Sequence, residues 1–132
     1  MTEKNRKKLI IDTDCGSDDA MAIAMALNDP AFEILFFTVV SGNVEAVQAA
    51  ENTLLTIERA ETYEPPVYLG ARNMLLKELA FAYDTHGMDG MGDLGLKPER
   101  LRPAEGKIIR MITRKSATSA AARRARRERS IL

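Results

Sequence analysis

At 132 residues and 45% hydrophobic, with 8 glycines and 5 prolines, the chain can bury one modest core, which leaves room for one globular domain. The formal net charge of 0 conceals a split: residues 1–106 hold 18 acidic against 10 basic side chains, whereas residues 107–132 hold 9 basic ones against Glu128 alone. A lone cysteine, Cys15, excludes an internal disulfide framework and fits a reducing, cytoplasmic setting, and the longest apolar run, Ala20 to Leu27, is far short of the roughly 20 residues that cross a bilayer.

In chain order, Met1 to Lys8 is basic, but the apolar residues behind it meet Asp12 after only three positions, so no secretory signal is expected. Leu9-Ile10-Ile11 reads as a buried parallel strand that delivers its last side chains to the carboxyl edge of a sheet. Gly16 permits a tight turn. Ser17 suits an N-cap, Asp18 and Asp19 fall in the first turn where the helix dipole favours negative charge, and Ala20 to Leu27 continues the helix until Asn28-Asp29-Pro30 stops it. Phe32 to Val40 is a second strand, turned at Ser41-Gly42-Asn43. Val44 to Ala60 is the next helix, with Val47, Ala50, Leu54, Ile57 and Ala60 on one face. Pro65-Pro66 precedes a third strand, Val67 to Leu69. Strand, helix, strand, helix, strand with short links predicts a right-handed parallel α/β layout. Met74 to Tyr83 has the pattern of a further helix, and Thr85 to Gly95 is too glycine-rich to be regular, so a mobile surface loop is expected. Lys107 to Lys115 is helical in pattern. Ser116 to Arg129 is nearly all Ala, Ser, Thr and Arg, so residues 107–132 form a basic tail, helical or disordered.

The chemistry concentrates in Asp12-Thr13-Asp14-Cys15-Gly16-Ser17-Asp18-Asp19. Strand alternation puts Asp12 and Asp14 on one face, and the turn at Gly16 brings Asp18 and Asp19 over the same edge. Like charges so close would take up protons unless a cation intervened, and oxygen donors without nearby His or Cys suit calcium or magnesium rather than zinc. Helix capping alone explains Asp18 and Asp19 but leaves Asp12 and Asp14 without a role. An EF-hand loop starting at Asp12 fails, because its sixth and twelfth positions hold Ser17 and Ile23 instead of Gly and Glu. A haloacid-dehalogenase-type magnesium phosphatase shares two Asp one residue apart after a strand, yet wants Thr or Val where Gly16 stands. Cys15 sits in the same turn and reads as an inert small residue.

The segment Leu9 to Ala20 resembles the N-terminal signature of the inosine-uridine-preferring nucleoside hydrolases, Asp-Thr-Asp-Pro-Gly-x-Asp-Asp-Ala, with Cys15 in place of Pro. The likeness continues in register through Thr38 to Val44, Asn52-Thr53-Leu54, Pro66 to Ala71 and His86 to Gly92, covering residues 8–95 or so. It implies a Rossmann-like three-layer α/β fold with a parallel sheet, here restricted to its first β-α-β-α-β units within residues 1–106. It further implies hydrolysis of the N-glycosidic bond of ribonucleosides by a calcium-bound water. On the matching positions, Asp14 is then a calcium ligand and the general base, Asp19 a second calcium ligand, Asp18 and Asn43 ribose-binding residues, His86 a group near the nucleobase, and Asp12 a support behind the cluster. Such a cut passes through an oxocarbenium-like sugar, which needs a held ribose, an activated water and carboxylates beside the developing charge.

The family's catalytic domain is considerably longer, and its later strands bring further ligands to calcium and sugar. The chain is therefore expected to be an incomplete hydrolase, weakly active or inactive alone and prone to self-association into homo-oligomers. A different class of function, a nucleic-acid or acidic-partner binding module, would use the arginine cluster from Arg123 to Arg129. The absence of interleaved aromatics and the acidic body speak against a nucleic-acid partner.

Overall fold

The structure is a computed structural model that describes residues 6–74 and 76–105. Its elements are β1 (Lys7–Thr13), α1 (Ser17–Asn28), β2 (Phe32–Val39), α2 (Ala46–Ala60), β3 (Val67–Leu69) and a single turn, α3 (Tyr83–His86). The expected basic tail, 107–132, lies outside the described residues. Among the described residues no helix is long and apolar enough to cross a membrane.

The three strands form one parallel sheet in the order β1-β2-β3, as the alternation of aliphatic runs and helices predicts. Both crossovers step in the same direction along the sheet. Right-handed connections of that kind place their helices on a common face, and α1 indeed packs against α2. The core lies beneath them. Ile34, Phe37, Val39 and Val67 rise from the sheet to meet Ala20, Ile23 and Leu27 of α1 and Ala49, Ala50, Leu54 and Ile57 of α2, with Leu9 and Ile11 at the margin. Alanines at 46, 49 and 50 have no bulk beyond Cβ, so α2 can lie close to its neighbours. Each large aliphatic or aromatic side chain taken fully from water here contributes about 1.5–3 kcal/mol.

Strand alternation settles the fate of β1. Leu9, Ile11 and Thr13 turn toward the helices, so Ile10 and Asp12 turn the other way, and both are exposed. The ladder shifts by one residue between Leu9 and Ile10, pairing Leu9 with Ile34 but Ile10 with Phe36. After that shift Asp12 stands opposite Thr38 and Thr13 opposite Val39.

Three expectations are corrected. Helix α1 is capped by Gly16, and Ser17 is its first helical residue: the Asp19 carboxylate accepts the Gly16 N–H at 3.1 Å, which frees the serine hydroxyl for another partner. Helix α2 begins at Ala46, and Val47 is half exposed because the buried face is set by Ala46, Ala49, Ala50 and Thr53. No helix forms over the described part of 74–82, and Tyr83 only opens the single turn α3. Ten residues without a packed face make a marginal helix, and this stretch is tied down at its ends instead. The Ser41 hydroxyl donates to the Arg72 carbonyl at 2.8 Å, Ala82 N–H donates to the Asn43 carbonyl at 2.9 Å, and Leu76 between them is fully exposed.

Beyond β3 the chain returns along α2. The Glu58 carboxylate accepts the backbone N–H groups of Glu99, Arg100 and Leu101 at 2.8, 2.7 and 2.5 Å. These donors, led by Leu101, lower the Glu58 pKa to about 2. Arg100 forms a two-pronged pair with Glu64, which holds that carboxyl below the ordinary range. Ala104 N–H then donates to the Val67 carbonyl at 2.8 Å, bringing residue 104 alongside β3.

Candidate active site

Parallel α/β sheets present their functional loops at the carboxyl ends of the strands, and the loops after β1 and β2 meet there. Asp14 leaves β1 half-buried and its Oδ2 accepts the backbone N–H of Asn43 at 2.7 Å, joining the two loops across 29 residues. The approach depends on Gly42. A Cβ there would lie 2.1 Å from Asp14 Oδ2 and 2.7 Å from its Cγ, so only glycine leaves room for the carboxylate. The Asn43 amide nitrogen Nδ2 in turn donates to Asp19 Oδ2 at 3.3 Å. Asp19 also accepts the Thr13 hydroxyl at 3.1 Å and the Gly16 N–H, so the first turn of α1 is locked to the end of β1. Asn43 thus touches both carboxylates expected to hold a cation.

Asp18 and His86 form the outer side. Asp18 is exposed, with Oδ1 3.8 Å from His86 Nε2, while the other ring nitrogen, Nδ1, lies 3.0 Å from the Ser17 hydroxyl. The imidazole is mostly covered and stands over Gly16, where a Cβ would come within 3.1 Å of Nδ1. Asp12 is elsewhere. It accepts the Thr38 hydroxyl across the β1–β2 ladder, on the sheet face opposite Thr13. Asp12 therefore stands apart from the other three: β1 ends at Thr13, so Asp14 follows the turn and not the strand's alternation, while Asp18 stays at the outer side of the site.

The loop after α3 is more ordered than its glycine content suggests. Asp89 accepts N–H groups from Met91, Asp93 and Gly95 at 2.7–2.9 Å, Asp93 accepts Met88 N–H at 2.6 Å, and Gly92 N–H returns to the His86 carbonyl at 2.8 Å. Partial burial works to raise the Asp89 pKa, but the backbone donors, Gly95 foremost, outweigh it and the net shift is downward. Positive φ at Gly87, Gly90, Gly92 and Gly95 lets the chain wrap these two carboxylates.

Sequence reasoning missed two participants. Gly42 looked like an ordinary turn residue. Asn52, buried in α2, donates from Nδ2 to the Cys15 carbonyl at 3.0 Å and to the Asp89 carbonyl at 2.8 Å; the available signal was a polar residue inside the apolar stripe of a helix. Cys15 matches its reading as inert: it is fully buried, and desolvation, with the nearby Asp19 and Asp14 charges, pushes its thiol up to about 12.

Asp14 and Asp19 are oxygen donors held by fixed backbone and amide contacts, and the cradle left by Gly42 accommodates the Asp14 carboxylate, which fits a hard divalent cation. Among the described residues no group of three His, Cys, Asp or Glu side chains is arranged to hold a metal, so these two carboxylates would need backbone carbonyls, water or other segments to complete a coordination shell.

Fold and site together define a parallel α/β protein with an acidic, amide-rich edge where the first two strands end. The family profile described as inosine-uridine preferring nucleoside hydrolase matches residues 9–130, and the chain belongs to this family. The match runs well past residue 95, where the resemblance read from motifs stopped, and it displaces the phosphatase alternative. A probable uridine nucleosidase 2 of Arabidopsis thaliana is 41% identical over 103 residues, 76% of this chain and 32% of the relative. The inosine-uridine preferring nucleoside hydrolase of Leishmania major is 34% identical over 76% of this chain and 32% of its own length. Among solved structures, a purine-preferring ribonucleoside hydrolase from Gardnerella vaginalis superposes with a TM-score of 0.72 at 30% identity, covering 80% of this chain and 35% of that one. A plant nucleoside hydrolase gives 0.69 at 39% identity, over 76% and 32%. The chain thus spans about a third of the length of these relatives.

Proposed function

We propose that this chain carries the calcium- and ribose-binding portion of a nucleoside N-ribohydrolase, acting on ribonucleosides to give ribose and free base. The observation that carries the reading is Asn43, whose backbone N–H holds Asp14 and whose side chain holds Asp19 at one strand edge. Calcium, when bound, supplies positive charge that makes water more acidic and attracts hydroxyl oxygens. Asp14 and Asp19 would hold it.

The chain's own residues divide the rest of the work. Asp14, oriented by the Asn43 N–H, takes a proton from the attacking water as general base. Thr13 and Gly16 fix Asp19 so that it does not swing away with the substrate. Asp18, exposed at the mouth, and the Asn43 amide bond ribose hydroxyls, and the nearby carboxylates favour the positive charge that builds on the sugar as the base departs. His86, placed over Gly16 by Ser17, lies on the nucleobase side. Asp12 acts only through the sheet, by holding Thr38 beside the β2 exit.

Release of free base from inosine and uridine, followed with calcium and with a chelator, tests this reading. Slow, calcium-dependent release that Asp14→Asn removes is the expected result. Release indifferent to both calcium and Asp14→Asn would overturn it, as would the absence of any calcium-dependent contact to ribose protons in saturation-transfer NMR.

A further inference from the structure

We propose that Asn52 is a positioning residue: its side-chain amide fixes the separation between the Asp14–Gly16 turn and the 86–95 loop, and so sets where His86 stands over the carboxylate site. The inference rests on the assignment of His86 to the nucleobase side of the site, and it concerns a residue that touches neither the proposed cation ligands nor the sugar.

The geometry is specific. Asn52 is 1% exposed on α2, and a buried amide must have partners. Its two Nδ2 protons go to two different loops, the Cys15 carbonyl at 3.0 Å and the Asp89 carbonyl at 2.8 Å, and its Oδ1 accepts Gln48 Nε2 at 3.0 Å. Cys15 lies between Asp14 and Gly16. Asp89 lies three residues after His86, in a loop whose own hydrogen bonds run back to the His86 carbonyl through Gly92. One planar group with fixed N–H directions therefore spans the two sides of the site. The amide is also crowded from the loop side. Gly90, at φ +74, approaches so closely that a Cβ would lie 2.9 Å from Asn52 Nδ2 and 2.9 Å from Val44 Cγ1. Loop and amide fit each other as a pair, which a helix residue serving only the core would not require.

No other residue type does the same job. Aspartate keeps the shape but offers no donor, and it sets a carboxylate against two carbonyl oxygens. Leucine keeps the volume and leaves both carbonyls without a donor. Glutamine restores the amide on a longer arm, and cannot reach both carbonyls without pushing one loop outward.

The sequence holds a single histidine, so its Cε1–H proton gives one NMR signal that needs no assignment. A Cβ on Gly16 would sit 3.2 Å from His86 Cε1, so protein labelled with 13C-glycine should show a nuclear Overhauser contact between that proton and the Gly16 methylene. In Asn52→Leu the contact should vanish while contacts between the Phe36 and Tyr68 rings persist, and Asn52→Asp should behave alike. Gly90→Ala perturbs the same joint from the loop side and should also abolish the contact, which covers the case in which the helix variants do not fold. A His86–Gly16 contact that survives in a folded Asn52→Leu protein, or in Gly90→Ala, overturns the proposal. The measurement uses protein without calcium or nucleoside, so failure of base release would leave its outcome intact, and loss of the contact in all variants would leave the hydrolase reading untouched.

Discussion

Gly42→Ala is the sharpest test of the site's packing, because a single methyl group is set against the proposed cation ligand. Gly42 does not occupy positive-φ backbone, so alanine can adopt its conformation. The steric conflict is with Asp14: the new Cβ would lie 2.1 Å from Oδ2, 2.7 Å from Cγ and 2.8 Å from Asp14 Cβ. Rotating the carboxylate relieves the first two contacts but not the third, so the β1 exit or the 41–43 turn must also move. Losing the bond from Asn43 N–H to a charged acceptor costs about 1.5–3 kcal/mol. Overpacking adds about 1–3 kcal/mol. The smaller entropy of an unfolded alanine returns about 0.4–1 kcal/mol, leaving a net destabilisation of about 1.5–5.5 kcal/mol. Urea unfolding followed by circular dichroism reads that change, and calorimetric titration with calcium reads the displaced ligand. Gly95→Ala is the control, since nothing lies within 4 Å of its added Cβ and only its φ of +65 opposes the change; it should cost about 1–2 kcal/mol and leave calcium binding alone. A Gly42→Ala protein destabilised by less than about 0.5 kcal/mol, the usual scatter of neutral surface changes, with undiminished calcium binding would refute the reasoning.

Two further outcomes follow from the titrating groups. The Glu58 carboxyl is held at about 2, below its ordinary 4.5, so the folded state favours its ionised form; the stability it contributes is fully present above about pH 4.5 and is lost as pH falls toward 2. Protection factors at Glu99, Arg100 and Leu101, taken against the intrinsic exchange rate at each pH, should fall over that window, and in Glu58→Ala at neutral pH; unchanged protection in the variant would show that the segment is held by something else. Cys15 has its thiol pushed up to about 12 by burial, so at pH 8 a maleimide should react only as fast as the site opens, and denaturant should accelerate labelling steeply. Immediate stoichiometric labelling of native protein would contradict the packing of the β1–α1 turn.

Much of the architecture was legible in the chain because it is written in local pattern. A branched aliphatic run ending in an acid gave β1, a longer apolar run stopped by Ser41-Gly42-Asn43 gave β2, Asn28-Asp29-Pro30 ended α1, and the short links left a parallel order as the economical topology. The Met74–Tyr83 pattern misled for the complementary reason: helical periodicity is a local signal, but a short helix persists only where a packed face supports it, and this stretch is instead tied at its ends to Ser41 and Asn43.

The acidic signature by itself marked the candidate site and the strand edge at which it stands, since so many carboxylates around a glycine turn have no place in a core. It could not apportion them. Asp14 meets Asn43 across 29 residues, Asp12 meets Thr38 across 26, and His86 reaches Ser17 across 69. Those distances are closed by the β1–β2 register, by the absence of a Cβ at Gly42 and by the Asn52 amide between two loops. A strand's alternation can be read from its residues one by one, whereas the partner it faces is fixed only when the whole sheet has formed, and that is why the separate positions and partners of the four aspartates belong to the tertiary structure.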